Sequence, residues 1–471
     1  MTLTKTLAKN TLIQISSKFV STALGLIAIA ILTRSLGTEK FGWYITATGF
    51  LQFIGIIIDF GFTVTTSNML SLPNFDSEKL FNTIFSWRFV TALICFGLAP
   101  IIIIFFPYGL EIKIAVAITS LSFFANTLNQ VFIGFYRQKL TLWIVSASEI
   151  FSRALLVFSF LVLAYSKAGF YSLMLAITIS ALSGTFYLVY KYGKLKFCFN
   201  KKISKEIFIK MWPTAISVIF NAMYLQADRL ILPLYVSQSE VGLYGAAYRV
   251  LDVVIQIAAL VMGMVMPLIT YAWSRKMRVE FQERYELGVN LISLILFPIA
   301  IGIFVLAGPI MTLIAGKQFS GSGIMLQWLS ISILGTAFGM IFGHIVLAID
   351  RQKEALLIYG TDAILSITGY LVFIPIYGWL GAVWVTIFSE LYAGFLLFFI
   401  AVVYSGFVPD LTKVGKIFLA SVIMGIIIYA MNLPLIPATL FGIFIYFLLI
   451  VGFKVIKREA VLEMTSLNKV A

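Results

Sequence analysis

Apolar stretches of about 18 to 25 residues recur from one end of this sequence to the other. Each stretch is bounded by charged residues or by glycine and proline, and its length suits a helix that crosses about 30 Å of hydrocarbon. Of the 471 residues, 61% are hydrophobic and only 11% are charged, which is more apolar surface than one water-soluble core could bury. The sequence therefore predicts an all-α polytopic membrane protein.

About 14 transmembrane helices are predicted, and no stretch remains that is long enough for a soluble domain. The first apolar run is too long for a signal peptide and has no small-residue cleavage site, so it is predicted to be a permanent helix. The predicted spans are 11–33, 43–69, 83–106, 113–135, 141–165, 170–190, 211–235, 243–270, 288–306, 322–348, 355–376, 379–403, 415–432 and 435–453.

Lysine and arginine are concentrated in every second loop between these spans. The largest group is a run of lysines between residues 191 and 210, whereas the alternate loops hold only Arg34, Lys40, Lys113, Lys167 and Lys317. The asymmetry is about fivefold and follows the positive-inside rule, so both termini are predicted to be cytoplasmic in a bacterial inner membrane. The net charge of +14 is therefore explained by topology, and nucleic acid is not expected as a partner.

A weak internal repeat appears when the chain is compared with itself at an offset of roughly 200 residues. Because six helices separate the matching segments, the halves have the same orientation in the membrane and form a parallel repeat. We predict an N-terminal six-helix bundle (1–195), a basic cytoplasmic linker (196–210), a second six-helix bundle (211–405), and helices 13 and 14 with a tail (406–471). The matches pair 40–44 with 240–244, 137–139 with 351–353, and 169–170 with 378–379.

Ionisable residues inside the predicted spans are candidates for function, because a charge in hydrocarbon costs a few kcal/mol or more. Glu149 and Arg153 are four positions apart, and Arg249 and Asp252 are three apart, so each pair can meet on one helical face. Such pairs can equally well be structural. Asp228 and Arg229 are adjacent and point in different directions, so at least one needs a partner on another helix.

Two further cations have no acidic neighbour at helical spacing. Lys18 must find a counter-ion elsewhere, bind an anionic ligand, or extend to the cytoplasmic interface. Arg88 stands near a helix end and is predicted to extend to that interface. Among the acids, Asp59, Asp362 and Glu390 are interpreted either as structural partners or as carriers of a proton or a coupling cation.

Motifs of the common enzyme classes are missing from the sequence. It has no nucleophile elbow, no Walker A loop and no HExxH motif, and its one histidine is His344. Cys95 and Cys198 do not have metal-site spacing. We therefore expect no catalytic residues, no cofactor and no metal, and we expect energy from an ion gradient or from the substrate gradient.

A degenerate motif, Arg34-Ser35-Leu36-Gly37 followed by Phe41-Gly42, comes after the first helix, and its echo is Gly242-Leu243-Tyr244. A turn at residues 378–381 completes the set. In these motifs, in its length and in its number of helices, the whole chain resembles Wzx-type oligosaccharide-lipid flippases of the multidrug/oligosaccharidyl-lipid/polysaccharide (MOP) exporter superfamily.

That resemblance implies two six-helix bundles around a central cavity, as in the MATE and MurJ folds, with helices 13 and 14 appended. It implies flipping of an undecaprenyl-diphosphate-linked oligosaccharide by alternating access for O-antigen or other polysaccharide assembly. Implied partners are membrane lipids, a polysaccharide polymerase and a chain-length regulator. On that reading the cavity cations are Lys18, Arg153, Arg229 and Arg249. The ion-coupling or charge-pair candidates are Asp59, Glu149, Asp228, Asp252, Asp362 and Glu390.

Three alternatives remain open at this point. A peptidoglycan-precursor (lipid II) flippase shares the architecture, but its typical Arg-Asp pair in helix 1 falls on Ala28 and Ile29 here. A cation-coupled drug exporter would favour acidic residues in the cavity. A membrane-embedded glycosyl ligase or polymerase would need a large outside loop, and the predicted topology has none.

Overall fold

The computed structural model describes residues 3–59, 62, 69–70 and 76–455, and all regular structure in them is helical. Short 3-10 turns lie at Ile103–Phe105 and Lys317–Phe319. The helices are α1 (Leu3–Asp59), α2 (Ser77–Ile102), α3 (Leu110–Gln138), α4 (Trp143–Tyr165), α5 (Phe170–Tyr192), α6 (Lys201–Tyr235), α7 (Gln238–Ser274), α8 (Arg278–Ala315), α9 (Ser322–Leu329), α10 (Ser332–Ala348), α11 (Gln352–Tyr377), α12 (Trp379–Ser405), α13 (Leu411–Met431) and α14 (Leu435–Gly452).

The chain is a multi-pass membrane protein. Within the described residues, eleven helices are long and apolar enough to cross a membrane, and the bent pair α9–α10 makes a twelfth span. Helix α1 counts once among the eleven although a kink divides it, and α6 is not among them. Each predicted span falls on a described helix, the span at 43–69 only in part.

The kink in α1 lies at Gly37, which has φ 70° and ψ −178°. Glycine tolerates this left-handed φ because it has no Cβ. Just before the kink, the Arg34 guanidinium donates hydrogen bonds to the carbonyl oxygens of Ala30 (3.0 Å) and Ile314 (2.9 Å). The first two predicted spans are therefore two helical segments that meet directly at the kink at Gly37.

The chain forms two compact units. The first contains the residues up to Gly245 together with Ile314–Gln318 and Ile367–Trp379. The second contains Ala246–Leu313, Phe319–Ser366 and the residues from Leu380 onward. The four domains predicted from the repeat (1–195, 196–210, 211–405 and 406–471) stay a prediction.

In the first unit, an aromatic cluster joins α2, α3 and α5. The Phe81 ring lies 4.6 Å from the Phe135 ring and 4.5 Å from the Tyr192 ring, centroid to centroid. Buried aromatic pairs at this spacing stabilise beyond the apolar area that they bury. This cluster holds the helices that flank α4, which carries two of the candidate site residues.

The two copies of the repeat motif touch each other inside the first unit. A Cβ added to Gly42 would lie 1.7 Å from the carbonyl oxygen of Gln238, and one added to Gly242 would lie 2.0 Å from that of Thr38. Gln238 stands 200 positions after Thr38, as Gly242 does after Gly42. The contact is therefore reciprocal, as expected where two similar segments meet across a two-fold axis.

In the second unit, α10 and α12 approach closely at a pair of glycines. A Cβ on Gly335 would lie 2.6 Å from the carbonyl carbon of Glu390, and one on Gly394 would lie 2.9 Å from the carbonyl oxygen of Gly335. Small residues permit such backbone contact between membrane helices. Helices α13 and α14 pack on each other through Met424, Ile428 and Ala438, and this cluster also contacts Ile301 and Val305 of α8.

Candidate functional site

The charged side chain of Lys18 on α1 meets an acid on α4. Its ammonium lies 3.6 Å from a carboxylate oxygen of Glu149, and the Ser21 hydroxyl donates to that oxygen at 2.7 Å. Both charged side chains keep about a third of their surface exposed, 35% and 37%. Lys18 therefore has a counter-ion on a distant helix, which is one of the three alternatives that its sequence context left open.

Glu149 is thus engaged with α1, and the ion pair with Arg153 that the spacing allows is not formed among the described residues. Lys18 and Ser21 of the neighbouring helix hold the carboxylate instead. Spacing of four along one helix allows a contact but does not exclude a better one from another helix.

Arg153 instead lies against the backbone of α1. Its Nη1 atom is 2.8 Å from the position that a Cβ of Gly25 would occupy, so the absent side chain makes room for the guanidinium. Within the described part of the chain, Arg153 forms no hydrogen bond and no ion pair. It stands ten residues into α4, or about 15 Å along the helix, close to the middle of a hydrocarbon layer.

An unpaired guanidinium at that depth is costly unless something compensates it. The N–H donors of a guanidinium lie in one plane, in an arrangement that matches the oxygens of a phosphate or a carboxylate. This arrangement can therefore bind an anionic group, with Lys18 on the facing helix.

Asp228 and Arg229 on α6 separate toward different helices, as their adjacency required. Asp228 is fully buried and accepts a hydrogen bond from the Tyr244 hydroxyl of α7 at 2.8 Å. Arg229 is partly buried, and its guanidinium donates to the side-chain oxygen of Gln52 on α1 at 3.4 Å. The acid is thus held inside the bundle by α7, whereas the cation donates to a side chain of α1.

Asp59 at the end of α1 pairs with Arg88 of α2. A guanidinium nitrogen lies 2.7 Å from the carboxylate, and the other terminal nitrogen donates to the carbonyl oxygen of Ile58 at 3.1 Å. Arg88 is only 2% exposed. The prediction that Arg88 extends to the interface was wrong, because the partly buried carboxylate of Asp59, 29 positions earlier in the sequence, offers it a charged partner.

In the second unit, Arg249 and Asp252 of α7 form the predicted pair at 3.5 Å, three residues apart. Both side chains are partly exposed, at 21% and 27%. The pair is loose enough for either group to bind elsewhere.

A second cluster of the second unit centres on Asp362 of α11, which is fully buried. The Ser389 hydroxyl of α12 lies 2.9 and 3.0 Å from the two carboxylate oxygens, and Ser366 donates at 3.1 Å. The next residue after Ser389 is Glu390, itself only 9% exposed. Among the described residues, neither acid has a basic partner within ion-pair distance. Two such acids can carry a proton or a monovalent cation.

Several residues of these clusters were missed by the sequence reasoning. Ser21, Gln52 and Ser389 meet their partners only through contacts between distant helices. Ser366 could have been found, because it stands four positions after Asp362 on one helix. No group of three or more His, Cys, Asp and Glu side chains in the described ranges is arranged to hold a metal ion.

The sequence model of a polysaccharide biosynthesis protein family matches residues 31–323. No curated protein matches the chain. Among solved structures, the lipid II flippase MurJ in an inward closed conformation has a TM-score of 0.77 at 17% identity, covering 94% of this chain and 98% of that chain.

Two MATE family structures are similar at lower scores. An inward-facing multidrug resistance transporter of the MOP superfamily has a TM-score of 0.67 at 15% identity, over 82% of this chain and 94% of that one. A eukaryotic MATE transporter has a TM-score of 0.63 at 14% identity, over 89% and 98%. The chain therefore has the fold of MOP superfamily transporters.

Proposed function

We propose that this chain, which belongs to the polysaccharide biosynthesis protein family, flips a polyprenyl-diphosphate-linked oligosaccharide repeat unit across the bacterial cytoplasmic membrane. The repeat unit would serve O-antigen, capsular or exopolysaccharide assembly. The observation that carries the proposal is the guanidinium of Arg153, which lies near the middle of its helix without a hydrogen bond or ion pair to any described residue. Transport leaves the cargo chemically unchanged, so the protein acts without catalytic residues.

Arg153 would bind the diphosphate of the cargo. Arginine donates two parallel hydrogen bonds to phosphate oxygens, and these bonds are strong away from water. The pair of Lys18 and Glu149 is loose, at 3.6 Å, and both side chains are partly exposed. Lys18 can therefore exchange its carboxylate partner for a phosphate oxygen when cargo arrives.

Arg229 and Arg249 would also bind the diphosphate of the cargo, or they would bind acidic sugars of its oligosaccharide. Arg229 donates a hydrogen bond to Gln52 at 3.4 Å, and Arg249 pairs with a partly exposed Asp252 at 3.5 Å. Both contacts are longer than an ordinary hydrogen bond, so an anion of the cargo can compete with them. Both residues are weaker candidates than Arg153 because each already has a partner.

Coupling to an ion gradient would use the buried acids of the second unit. Asp362 is oriented by Ser366 and Ser389, and Glu390 adjoins the cluster. Binding of a proton or cation would neutralise a buried charge and so favour one conformation over another. Asp59 and Asp228 are less suited, because Arg88 and Tyr244 already hold them.

The experiment that tests this function is deletion of the gene in its native strain. Surface polysaccharide is then analysed on gels, and polyprenyl-linked glycans are analysed by mass spectrometry. We expect loss of the surface polymer and accumulation of one lipid-linked repeat unit, whose mass identifies the cargo.

Other outcomes would replace the proposal. Cell lysis with accumulated peptidoglycan precursor would favour the lipid II flippase. Unchanged polysaccharide with altered drug tolerance would favour a drug exporter. Polyprenyl-linked units that reach the outer leaflet but remain unpolymerised would favour a ligase or polymerase.

A further inference from the structure

A cavity of about 470 Å³ lies among α1, α2 and the beginning of α6. Its walls are largely apolar and include Ile57, Phe62, Trp87, Cys95, Phe208 and Met211. The cavity belongs to the first unit and contains none of the charged residues that we propose for cargo transport. Its volume falls in the range of about 300 to 1,000 Å³ that is typical of small-molecule sites.

The walls are held in place by polar contacts on both sides. The Trp87 indole donates a hydrogen bond to the Ser204 hydroxyl at 2.8 Å, which ties α2 to α6. Arg88 donates to the carbonyl oxygen of Ile58 while it pairs with Asp59, which ties α2 to the end of α1. The cavity is therefore preformed and does not depend on a ligand to separate the helices.

One end of this apolar cavity is basic. Among the described residues that line it, Lys205 carries the one charge, and its side chain is exposed. Ser204 also lines the cavity; it accepts from Trp87 and keeps its own hydroxyl proton to donate. Lys205 stands in the lysine-rich stretch of residues 191–210, which the charge distribution predicts to be cytoplasmic.

We propose that the cavity binds an anionic phospholipid of the cytoplasmic leaflet. One acyl chain would lie between α2 and α6, with the headgroup phosphate on Lys205 and Ser204. Basic pockets between membrane helices on the cytoplasmic side are suited to anionic headgroups. The volume suits one acyl chain, whereas the polyprenyl chain of the cargo is far longer. This site is independent of the proposed transport function.

The test uses the purified full-length chain in a neutral detergent and native mass spectrometry. Phosphatidylglycerol is compared with phosphatidylcholine that has the same acyl chains. We expect phosphatidylglycerol to bind more tightly, and Lys205→Gln to weaken its binding about fivefold, the effect of one lysine near an anionic headgroup.

Lys202→Gln is the matched control, because Lys202 is exposed on the same helix and does not line the cavity. It should leave phosphatidylglycerol binding unchanged. Cys95→Phe, which fills the cavity, should weaken binding while Lys205 is intact. Equal losses in the Lys202 and Lys205 variants would overturn the proposal in favour of diffuse charge attraction. Equal affinity for the two lipids would also overturn it.

Discussion

The guanidinium of Arg153 lies against Gly25, with Nη1 2.8 Å from the position that a glycine Cβ would occupy. This contact places a cation of α4 directly on the backbone of α1, one helical turn from Ser21, which holds Glu149. The neighbouring Lys18 and Glu149 pair gives the cluster an internal anion. The cluster therefore has one more positive than negative charge among these three side chains.

Gly25→Ala should displace Arg153 without disturbing the helices. The added methyl group would meet only the far end of a flexible side chain, which can move at little cost. We expect normal expression and melting temperature with reduced transport of the lipid-linked cargo, measured by accumulation of that cargo in cells. Gly97→Ala is the control, because a Cβ there has no neighbour within 4 Å. Normal transport by Gly25→Ala would show that the position of Arg153 against α1 is not required.

Gly242→Ala should destabilise the protein through the backbone. Its Cβ would lie 2.0 Å from the carbonyl oxygen of Thr38, so the two helices must separate. We expect a loss of about 1 to 3 kcal/mol, as for other overpacked sites, seen as a lower melting temperature in detergent. Gly263→Ala on the same helix meets nothing within 4 Å and should be neutral or slightly stabilising. Equal melting temperatures for the two variants would contradict the contact.

A disulfide across this contact should block transport. Ser239 donates to the Thr38 hydroxyl at 2.7 Å, so Thr38→Cys with Ser239→Cys brings two thiols together. In a background with Cys95→Ser and Cys198→Ser, oxidation should stop flipping, and reduction should restore it, since alternating access requires these segments to separate. Either cysteine alone should have no effect. Full transport by the oxidised double variant would show that this contact stays closed throughout the cycle.

Asp362→Asn should uncouple transport from the ion gradient. The amide keeps the shape and can still bind Ser389, but it cannot take up a proton and binds a cation weakly. We expect the purified variant to fold normally and to lose its response to imposed proton or sodium gradients. Asp410→Asn, in the loop before α13, keeps a helix-capping side chain and should respond like the wild type. A preserved response in Asp362→Asn would remove this acid from coupling.

The helical architecture was predictable because hydrophobic length and loop charge act locally. Each span had to be apolar over about 20 residues, and the internal repeat showed in the shared Gly-x-Tyr of residues 42–44 and 242–244. The same reasoning found the Arg249 and Asp252 pair, because residues three apart on one helix meet by geometry alone.

Pairing between helices could not be predicted in the same way. Lys18 and Glu149 are 131 positions apart, and Asp59 and Arg88 are 29 apart; nothing in their local sequence joins them. The same limit explains why the spacing allowed Glu149 to pair with Arg153 but could not show its contact with Lys18, and why Arg88 was predicted to lie at the interface. Which helices are neighbours depends on the packing of the whole unit. A charged residue can be matched to its partner only when that packing is known.

Reconstitution in liposomes shows directly whether Arg153 serves the flipping of a diphosphate-linked lipid. Proteoliposomes would hold the wild type, Arg153→Lys or Arg153→Ala, with a fluorescent polyprenyl-diphosphate glycan whose outer-leaflet fraction is read by quenching. We expect the wild type to flip the lipid and Arg153→Ala to flip it at a rate lower by about tenfold or more. Arg153→Lys should flip it at an intermediate rate, because lysine keeps the positive charge but cannot form the bidentate hydrogen bonds of arginine. Equal flipping rates for all three proteins would contradict the proposed role of Arg153, and rates no higher than in protein-free liposomes would contradict the proposed function.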